Sequence, residues 1–278
     1  MTTLDAVARP SGTFAMVAMD QRESLRTMLR ERGRTADDAA IGRFKLGVAC
    51  ELAPYASGFL IDKDHLDGVE AFVERGLILA VDALEQQPGG VVEDTSLDED
   101  FELVPGVVAL KLLVIWRDDE RRSERVELSR RFVELAERHG LLSVLEPVVR
   151  VPEDEREEAI VEAARELGAV EPSLYKGQVP LYGRGDPAEI TRHAAAIDAV
   201  LPCPWVVLSQ GVDPEDFPAA VEASCRGGAS GFLAGRALWT SALAAADPQR
   251  AVREQSVPRL QELAAIVDSH GRPWREKT

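Results

Sequence analysis

Residues 174–183 read LYKGQVPLYG, a short apolar run that contains one lysine, Lys176, and is stopped by Pro180 and Gly183. A run of this length bounded by turn residues predicts a β-strand. Lysine side chains are seldom buried unless they are paired or used by the protein. In so short a strand the side chain must face one packed layer or another, so the stretch predicts a buried strand with a functional or paired lysine.

Two further apolar runs each carry one ionisable residue. Residues 107–116 read VVALKLLVIW, in which Lys111 is the ionisable one, and residues 141–149 read LLSVLEPVV, in which it is Glu146. Two lysines and a carboxylate, each alone in a strand with a buried pattern, favour a single explanation. We expect Lys111, Glu146 and Lys176 to meet in space around a substrate.

Apolar, β-branched runs alternate with charged helical segments along almost the whole chain, which predicts a parallel sheet built from βα units. Eight strands are expected: residues 14–19, 57–61, 77–81, 107–116, 141–149, the run around Lys176, 205–208 and 231–234. Helices are expected over about 23–31, 35–52, 66–75, 123–139, 153–167, 214–226 and 258–270, with one more starting at Asp186-Pro187. Eight such units predict an α/β fold of the TIM (β/α)8 barrel type, as a single domain over residues 1–278.

Several helix ends can be assigned from the sequence. Thr35 with Asp38 three residues later has the spacing of a capping box. Asp186 followed by Pro187 suits an N-cap and a first helical position, and Gly140 suits a left-handed residue after a helix. Between the third and fourth strands, residues 86–102 show little helical pattern, so the helix there is expected to be short or irregular.

The active site of such a barrel lies at the C-terminal ends of its strands. Seven polar residues fall at or near those ends: Asp20, Asp62, Lys111, Glu146, Lys176, Ser209 and Arg236. Their common position predicts one site at this face of the barrel.

Composition narrows the classes of function. The net charge of −16 and pI near 4.8 disfavour nucleic-acid binding. No apolar stretch approaches the roughly 20 residues that a membrane-spanning helix needs. Three widely spaced cysteines with no secretory signal ahead of them indicate reduced thiols in a cytoplasmic protein. Four scattered histidines form no ligand motif, so neither a metal nor another cofactor is expected.

The three charged residues suggest Schiff-base chemistry at Lys176. A lysine forms an imine with a ketone only as the free amine, which burial and a neighbouring cation such as Lys111 favour. The resulting iminium is an electron sink for carbon–carbon cleavage, and Glu146 could relay protons. Glu146 and Asp20 are both candidates for the base that takes the proton of the C4 hydroxyl. The structural alternatives are a strand-end Lys176 that reaches solvent and a buried Lys111–Glu146 ion pair.

Glycines and an arginine after the seventh and eighth strands predict a phosphate site, which TIM barrels often have there. Its candidate residues are Ser209, Gln210, Gly211, Gly235 and Arg236. Gln21, Arg22 and Tyr182 are further candidates for substrate contact. Tight turns, a solvated helix start and an ordinary loop are the structural alternatives for these positions.

The combination of motifs resembles the class I aldolases that cleave tagatose 1,6-bisphosphate and sulfofructose phosphate. Five stretches carry the resemblance: MVAMDQR (16–22), PYAS (54–57), LKLLVIW (110–116), LYKGQVPLYG (174–183) and residues 208–239. Within that group the chain is most similar to the sulfofructosephosphate aldolases, in ALKLLVIWR (109–117), GLLSVLEPVVR (140–150), LYK with PLYG (174–183) and GASGFLAGRALW (228–239). The likeness covers nearly the whole chain.

This resemblance implies a metal-free TIM barrel with Lys176 as the Schiff-base lysine, Lys111 and Glu146 as its polar neighbours, and a homo-oligomeric assembly. The implied reaction is cleavage of 6-deoxy-6-sulfofructose 1-phosphate, a small sugar phosphate, to dihydroxyacetone phosphate and 3-sulfolactaldehyde. Alternatives are a tagatose-bisphosphate-type or other ketose-phosphate aldolase, and an inactive ligand-binding regulator. The chain departs from the family pattern at Gly177-Gln178, where Val-Glu is typical, and at Gln210, where a small residue is typical.

Overall fold

Ten β-strands are present in the computed structural model, which describes residues 2–74 and 76–277. In chain order they are β1 (Phe14–Met19), β2 (Gly58–Asp62), β3 (Leu77–Ala80), β4 (Asp82–Gln86), β5 (Val92–Leu97), β6 (Val107–Trp116), β7 (Leu142–Val149), β8 (Leu174–Gln178), β9 (Trp205–Leu208) and β10 (Gly231–Ala234). Eight of them close a barrel of parallel strands in the order β1-β10-β9-β8-β7-β6-β3-β2, and β4 and β5 form a separate antiparallel hairpin. The predicted TIM barrel is confirmed.

The α-helices are α1 (Glu23–Glu31), α2 (Asp38–Leu52), α3 (Arg122–Arg138), α4 (Arg156–Gly168), α5 (Pro187–Val200), α6 (Phe217–Arg226), α7 (Arg236–Trp239), α8 (Pro248–Ala251) and α9 (Val257–His270). Asp186 caps α5 by accepting a hydrogen bond from the Ala188 amide, as predicted. Gly140 has a φ of 66°, as expected for the left-handed residue after α3. No helix in the described residues is long and apolar enough to cross a bilayer.

Two predictions about helices were wrong. Asp37, not Thr35, caps α2, because the Asp37 carboxylate accepts a hydrogen bond from the Ala40 amide. The helix predicted over 66–75 does not form in residues 66–74. These residues follow a 3₁₀ helix over Lys63–His65 and form turns. Arg75 lies outside the described residues.

The short helix predicted after β3 is replaced by the β4–β5 hairpin, which turns at residues 87–91. The Thr95 hydroxyl of this hairpin donates to the Leu113 carbonyl at 2.8 Å. Asp94 pairs with Arg121 at 2.6 Å. These contacts with the barrel provide partners for polar side chains of the acidic segment and hold it in an extended conformation. The hairpin lies against the C-terminal ends of the strands.

The apolar core has an inner and an outer layer. Inside the barrel, Phe14, Met16, Ile78 and Leu233 belong to one cluster of fully buried side chains. A second, larger cluster fills the space between the barrel and its helices. Because the inner apolar cluster occupies the N-terminal part of the strands, the inward-facing positions farther along them are left to the charged residues.

Candidate active site

The three charged residues singled out in the sequence meet inside the barrel. Glu146 Oε2 lies 3.0 Å from Lys176 Nζ and 2.8 Å from Lys111 Nζ. The side chains come from the neighbouring strands β6, β7 and β8, whose alternation turns every second residue inward. All three residues are buried. The two lysines are thus linked through one carboxylate oxygen.

Two more carboxylates hold Lys111. Its Nζ donates to Asp20 Oδ2 at 2.8 Å and to Asp82 Oδ2 at 2.9 Å, in addition to the contact with Glu146. Burial by itself would lower the pKa of Lys111, but the three carboxylates outweigh it and hold that pKa well above its ordinary value. Lys111 is therefore an ammonium at neutral pH.

Asp82 was missed in the sequence, where the third strand was expected to end at Val81. It is the first residue of β4, it is buried, and it also accepts a hydrogen bond from the Leu113 amide at 3.1 Å. Asp82 could have been found in the sequence, because it directly follows an apolar strand. Asp20 was identified as a candidate from the same pattern.

Asp20, Gln21 and Arg22 follow β1 and line the site. Burial alone would raise the pKa of Asp20, but Lys111 and then Lys176 lower it below its ordinary value. Gln21 Nε2 donates to Asp20 Oδ1 at 3.1 Å. Arg22 is engaged by Asp82, through the backbone carbonyl and Oδ1, both at 2.8 Å. In this arrangement Arg22 holds Asp82 against Lys111.

A cavity of about 240 Å³ opens above these charges at the C-terminal end of the barrel. Its floor includes Asp20, Asp82, Lys111 and Glu146, and the β4–β5 hairpin forms one wall through Leu84, Gln86, Gly90, Val91 and Val92. Leu113, Ile115 and Val148 form an apolar collar between the floor and the rim. Lys176 is not among the residues that line the cavity, and it is joined to the floor by the contact of its Nζ with Glu146 Oε2.

Two of the five residues predicted to bind phosphate, Gln210 and Arg236, line the cavity. Burial lowers the pKa of Arg236, and Glu146 and Asp20 partly offset that effect. In residues 2–74 and 76–277, the Arg236 guanidinium donates to no acceptor and pairs with no carboxylate. Among the described residues it is therefore a positive group that faces the cavity without a partner.

The other three predicted residues, Ser209, Gly211 and Gly235, lie in the loops after β9 and β10 but do not line the cavity. Ser209 Oγ accepts a long hydrogen bond of 3.5 Å from the Ala237 amide. Gly211 has a φ of 76°, and a Cβ there would lie 2.6 Å from Tyr182 Cδ1. A Cβ at Gly235 would lie 2.5 Å from the Ala18 carbonyl oxygen. Both glycines are therefore required by close packing.

Tyr182, a predicted substrate contact, does not line the cavity. Its hydroxyl donates to Glu153 at 3.2 Å, and Arg156 stacks 3.7 Å from the centre of its ring. Tyr182 has a φ of 51°, one of three successive left-handed residues at 181–183. Its ring packs against Gly211 and so contacts the loop after β9.

Asp62 also departs from expectation, because it does not line the cavity. It is fully buried and pairs with Lys45 of α2, while the ring of His65 lies 2.7 Å from its other oxygen. Gln178 is likewise structural, since its Oε1 accepts from the Val149 amide at 2.9 Å. The described residues contain no group of three His, Cys, Asp or Glu side chains arranged to hold a metal ion.

The chain is similar in sequence or in fold to several known aldolases. The chain is 26% identical to the tagatose 1,6-diphosphate aldolase of Listeria monocytogenes, over 99% of this chain and 93% of that protein. Its fold is similar to that of Plasmodium falciparum fructose-bisphosphate aldolase, with a TM-score of 0.71, 12% identity and coverage of 96% and 93%. An archaeal fructose-1,6-bisphosphate aldolase, whose catalytic lysine is covalently bound to the carbinolamine intermediate, has a TM-score of 0.60, 19% identity and coverage of 95% and 98%.

The family follows from a separate match. A model of DeoC/LacD family aldolases fits residues 14–241, a segment that begins at β1, ends after α7 and contains every residue of the cavity floor. The match therefore includes all eight strands of the barrel and the two loops that carry Gln210 and Arg236. With most of its length in that segment, the chain belongs to the DeoC/LacD family of aldolases and is a carbon–carbon lyase.

Proposed function

We propose that the chain is a Schiff-base aldolase in which Lys176 is the nucleophile. The observation that carries the proposal is the unequal environment of the two lysines that share Glu146, one of which, Lys111, lines the cavity floor. Lys111 contacts three carboxylates and stays an ammonium, which has no lone pair to attack a carbonyl. Lys176 contacts only one carboxylate within the described residues, Glu146, and we assign it as the nucleophile.

In the proposed reaction, the Lys176 amine adds to the C2 carbonyl of a ketose 1-phosphate and forms a carbinolamine. Glu146 takes a proton from the attacking nitrogen and donates it to the departing hydroxyl, and water leaves as the iminium forms. A carboxylate then removes the proton of the C4 hydroxyl, the C3–C4 bond breaks, C4 leaves as the aldehyde carbon, and the electron pair of the broken bond moves into the iminium to give an enamine. Protonation at C3 and hydrolysis release dihydroxyacetone phosphate and free the amine.

Two carboxylates are candidates for the base at the C4 hydroxyl, Glu146 and Asp20. Both line the cavity floor. Asp20 is committed to Lys111 and Gln21, whereas Glu146 adjoins the nucleophile itself. We assign the steps at nitrogen to Glu146, and the variants in the Discussion separate the two carboxylates at C4.

The proposed substrate is 6-deoxy-6-sulfofructose 1-phosphate, which yields dihydroxyacetone phosphate and 3-sulfolactaldehyde. The sequence resemblance to sulfofructosephosphate aldolases in residues 109–117, 140–150 and 228–239 supports this choice. Tagatose 1,6-bisphosphate is the second candidate, favoured by the similarity to the Listeria aldolase over nearly the full length of both chains. Arg236 would hold the C1 phosphate of either substrate.

Borohydride trapping tests the mechanism. The protein would be incubated with dihydroxyacetone phosphate, reduced with sodium borohydride and digested for peptide mass spectrometry. A stable adduct on Lys176 is expected, and an adduct on Lys111 would reverse the assigned roles. Folded protein that yields no adduct would overturn the proposed chemistry. Cleavage rates for the two candidate ketoses, measured side by side, then decide the substrate.

A further inference from the structure

The cationic side chains of the cavity differ in whether the protein already neutralises them. Four of the described residues that line it are cationic: Arg22, Lys111, Arg150 and Arg236. Arg22 pairs with Asp82, and Lys111 pairs with three carboxylates. Within residues 2–74 and 76–277, the guanidinium groups of Arg150 and Arg236 have no hydrogen-bonded or ion-paired partner. The cavity therefore presents two positive groups that require an anion from outside the chain.

Arg150 is positioned by the end of β7. Its backbone amide donates to the Trp116 carbonyl at 2.8 Å, which continues the pairing between β7 and β6 by one residue. Glu146, Val148 and Arg150 alternate along this strand and all line the cavity. Arg150 starts four residues beyond Glu146, about 13 Å farther along the strand. The apolar collar that includes Val148 separates the two.

The two arginines enter the cavity from different strands, which indicates two different positions for an anion. Arg150 follows β7 and Arg236 follows β10, and β8 and β9 lie between those strands in the barrel. Glu146 and Asp20 act on Arg236, so Arg236 is close to the reacting centre. Burial lowers the pKa of Arg150, Arg117 and Arg236 lower it further, and Glu93 and Tyr182 only partly offset them. The Nε atom of Arg150 is buried with no partner. Arg150 as a whole is partly buried, and a partly buried guanidinium without a counterion is less favourable for the protein than one that a ligand neutralises.

We propose that Arg150 binds the anionic group at the distal end of the substrate, on the three carbons that leave as the aldehyde. The inference rests on the proposed function, since it takes the C1 phosphate at Arg236 and C2 at Lys176. The remaining carbons then pass the collar toward the rim. There the planar guanidinium donates two parallel N–H···O hydrogen bonds to a tetrahedral oxyanion, either a phosphate or a sulfonate.

With Arg150 in this role, the protein should prefer substrates that carry a second anionic group. A ketose 1-phosphate with a neutral C6 hydroxyl would leave Arg150 unneutralised in the cavity. A ketose with an anion at C6 would satisfy both arginines. The aldehyde product therefore carries a negative charge, and the reaction that consumes it must act on a phosphorylated or sulfonated three-carbon aldehyde.

The test uses unreactive ligands, so that binding is measured independently of imine formation. Hexitol 1-phosphate, hexitol 1,6-bisphosphate and 6-deoxy-6-sulfohexitol 1-phosphate cannot form an imine, because they have no carbonyl group. Their affinities would be measured by calorimetry for the wild type, Arg150→Met, Arg150→Lys and the control Arg165→Met. Arg165 is an exposed residue of α4 that pairs with Glu162.

The wild type is expected to bind at least one of the two-anion ligands about 10- to 100-fold more tightly than hexitol 1-phosphate, the range for hydrogen bonds to charged groups. Arg150→Met should abolish that difference and leave the affinity for hexitol 1-phosphate within about twofold. Arg150→Lys should keep part of the difference, because a lysine keeps the charge without the fork. Whichever two-anion ligand binds more tightly identifies the group as phosphate or sulfonate.

Two results would overturn the inference. One is a wild type that does not distinguish one anion from two. The other is an Arg150→Met protein, folded by circular dichroism, that loses affinity equally for all three ligands, which would place Arg150 with Arg236 at the C1 phosphate. Failure of borohydride trapping at Lys176 would instead overturn the proposed chemistry, while the hexitol comparison would still report on Arg150.

Discussion

Glu146 Oε2 lies 3.0 Å from Lys176 Nζ in the buried floor of the barrel. The same oxygen contacts Lys111 Nζ at 2.8 Å, so it can exchange a proton with groups on the nucleophile while Lys111 keeps it in place. A proton relay in this position serves every step that forms or breaks a bond to nitrogen. We therefore expect the reaction to slow when the Glu146 carboxylate is replaced by a group that cannot carry a proton.

Glu146→Gln is expected to lower kcat by about 10²- to 10⁴-fold, the usual range for loss of a general acid or base. The amide keeps the volume of the side chain and one contact oxygen. Steady-state cleavage and single-turnover trapping by borohydride, measured together, check this. Slow trapping with slow cleavage identifies Glu146 at nitrogen. If trapping is as fast as in the wild type while cleavage is slow, Glu146 acts only at the C4 hydroxyl. Asp20→Asn gives the complementary measurement.

Lys111→Met is expected to destabilise the protein by about 3–5 kcal/mol, because removal of one member of a buried charge cluster leaves its partners uncompensated. Three carboxylates would lose their shared cation, and Asp20 would lose its ion pair while Asp82 keeps Arg22 and Glu146 keeps Lys176. Urea unfolding measures the loss. Combining Lys111→Met with Asp20→Asn removes the charge that lost its ion pair and should recover part of the stability. A single variant as stable as the wild type would contradict the charge assignment.

The fold could be predicted because each strand of the barrel is an apolar run with turn residues at its ends. Strands β1, β6, β9 and β10 have the predicted bounds. The three charged floor residues could be predicted because an isolated charge in such a run is unusual. The hairpin could not, since residues 82–97 are held extended by rim groups such as Leu113 and Arg121 that are distant in the sequence. Asp82 and Arg150 were missed for a related reason, because their roles depend on which neighbours are already neutralised.

Stability should depend on pH through Asp20. The folded-state pKa of Asp20 is below its ordinary value of about 3.9, so its contribution is present above that pH and is lost as the pH falls through the folded-state pKa. Lys111 has the opposite shift, and its contribution persists at every pH below about 10.4. Unfolding free energies at pH 7, 5, 4 and 3 should therefore converge for the wild type and Asp20→Asn only below about pH 4. Convergence already at pH 5 would contradict the lowered pKa.

Gln178→Leu is expected to destabilise the protein by about 1–3 kcal/mol, because the buried Val149 amide would lose its acceptor. The substitution keeps the volume of the side chain but removes the oxygen. Gln261→Leu on the exposed face of α9 is the matched control and should change the unfolding free energy by less than about 0.5 kcal/mol. Equal effects of the two substitutions would show that the hydrogen bond across β7 and β8 contributes nothing.

Gly211→Ala tests whether Tyr182 supports the loop that carries Gln210. The φ of Gly211 is 76°, and an added Cβ would lie 2.6 Å from the Tyr182 ring. Gly33→Ala is a matched control, because Gly33 has a φ of 66° and nothing within 4 Å of its Cβ position. Both substitutions place a side chain in the left-handed region, at a cost of about 1–2 kcal/mol. Only Gly211→Ala also displaces an aromatic ring from beside the cavity.

The affinity for dihydroxyacetone phosphate should therefore fall in Gly211→Ala and stay unchanged in Gly33→Ala, even though both proteins lose comparable backbone stability. Adding Tyr182→Ala to Gly211→Ala removes the clash and should restore part of the affinity. Titration of the trapped adduct against triose concentration measures all three proteins. If the two single variants lose affinity to the same extent, the loss comes from general destabilisation, and Tyr182 has no part in positioning the loop after β9.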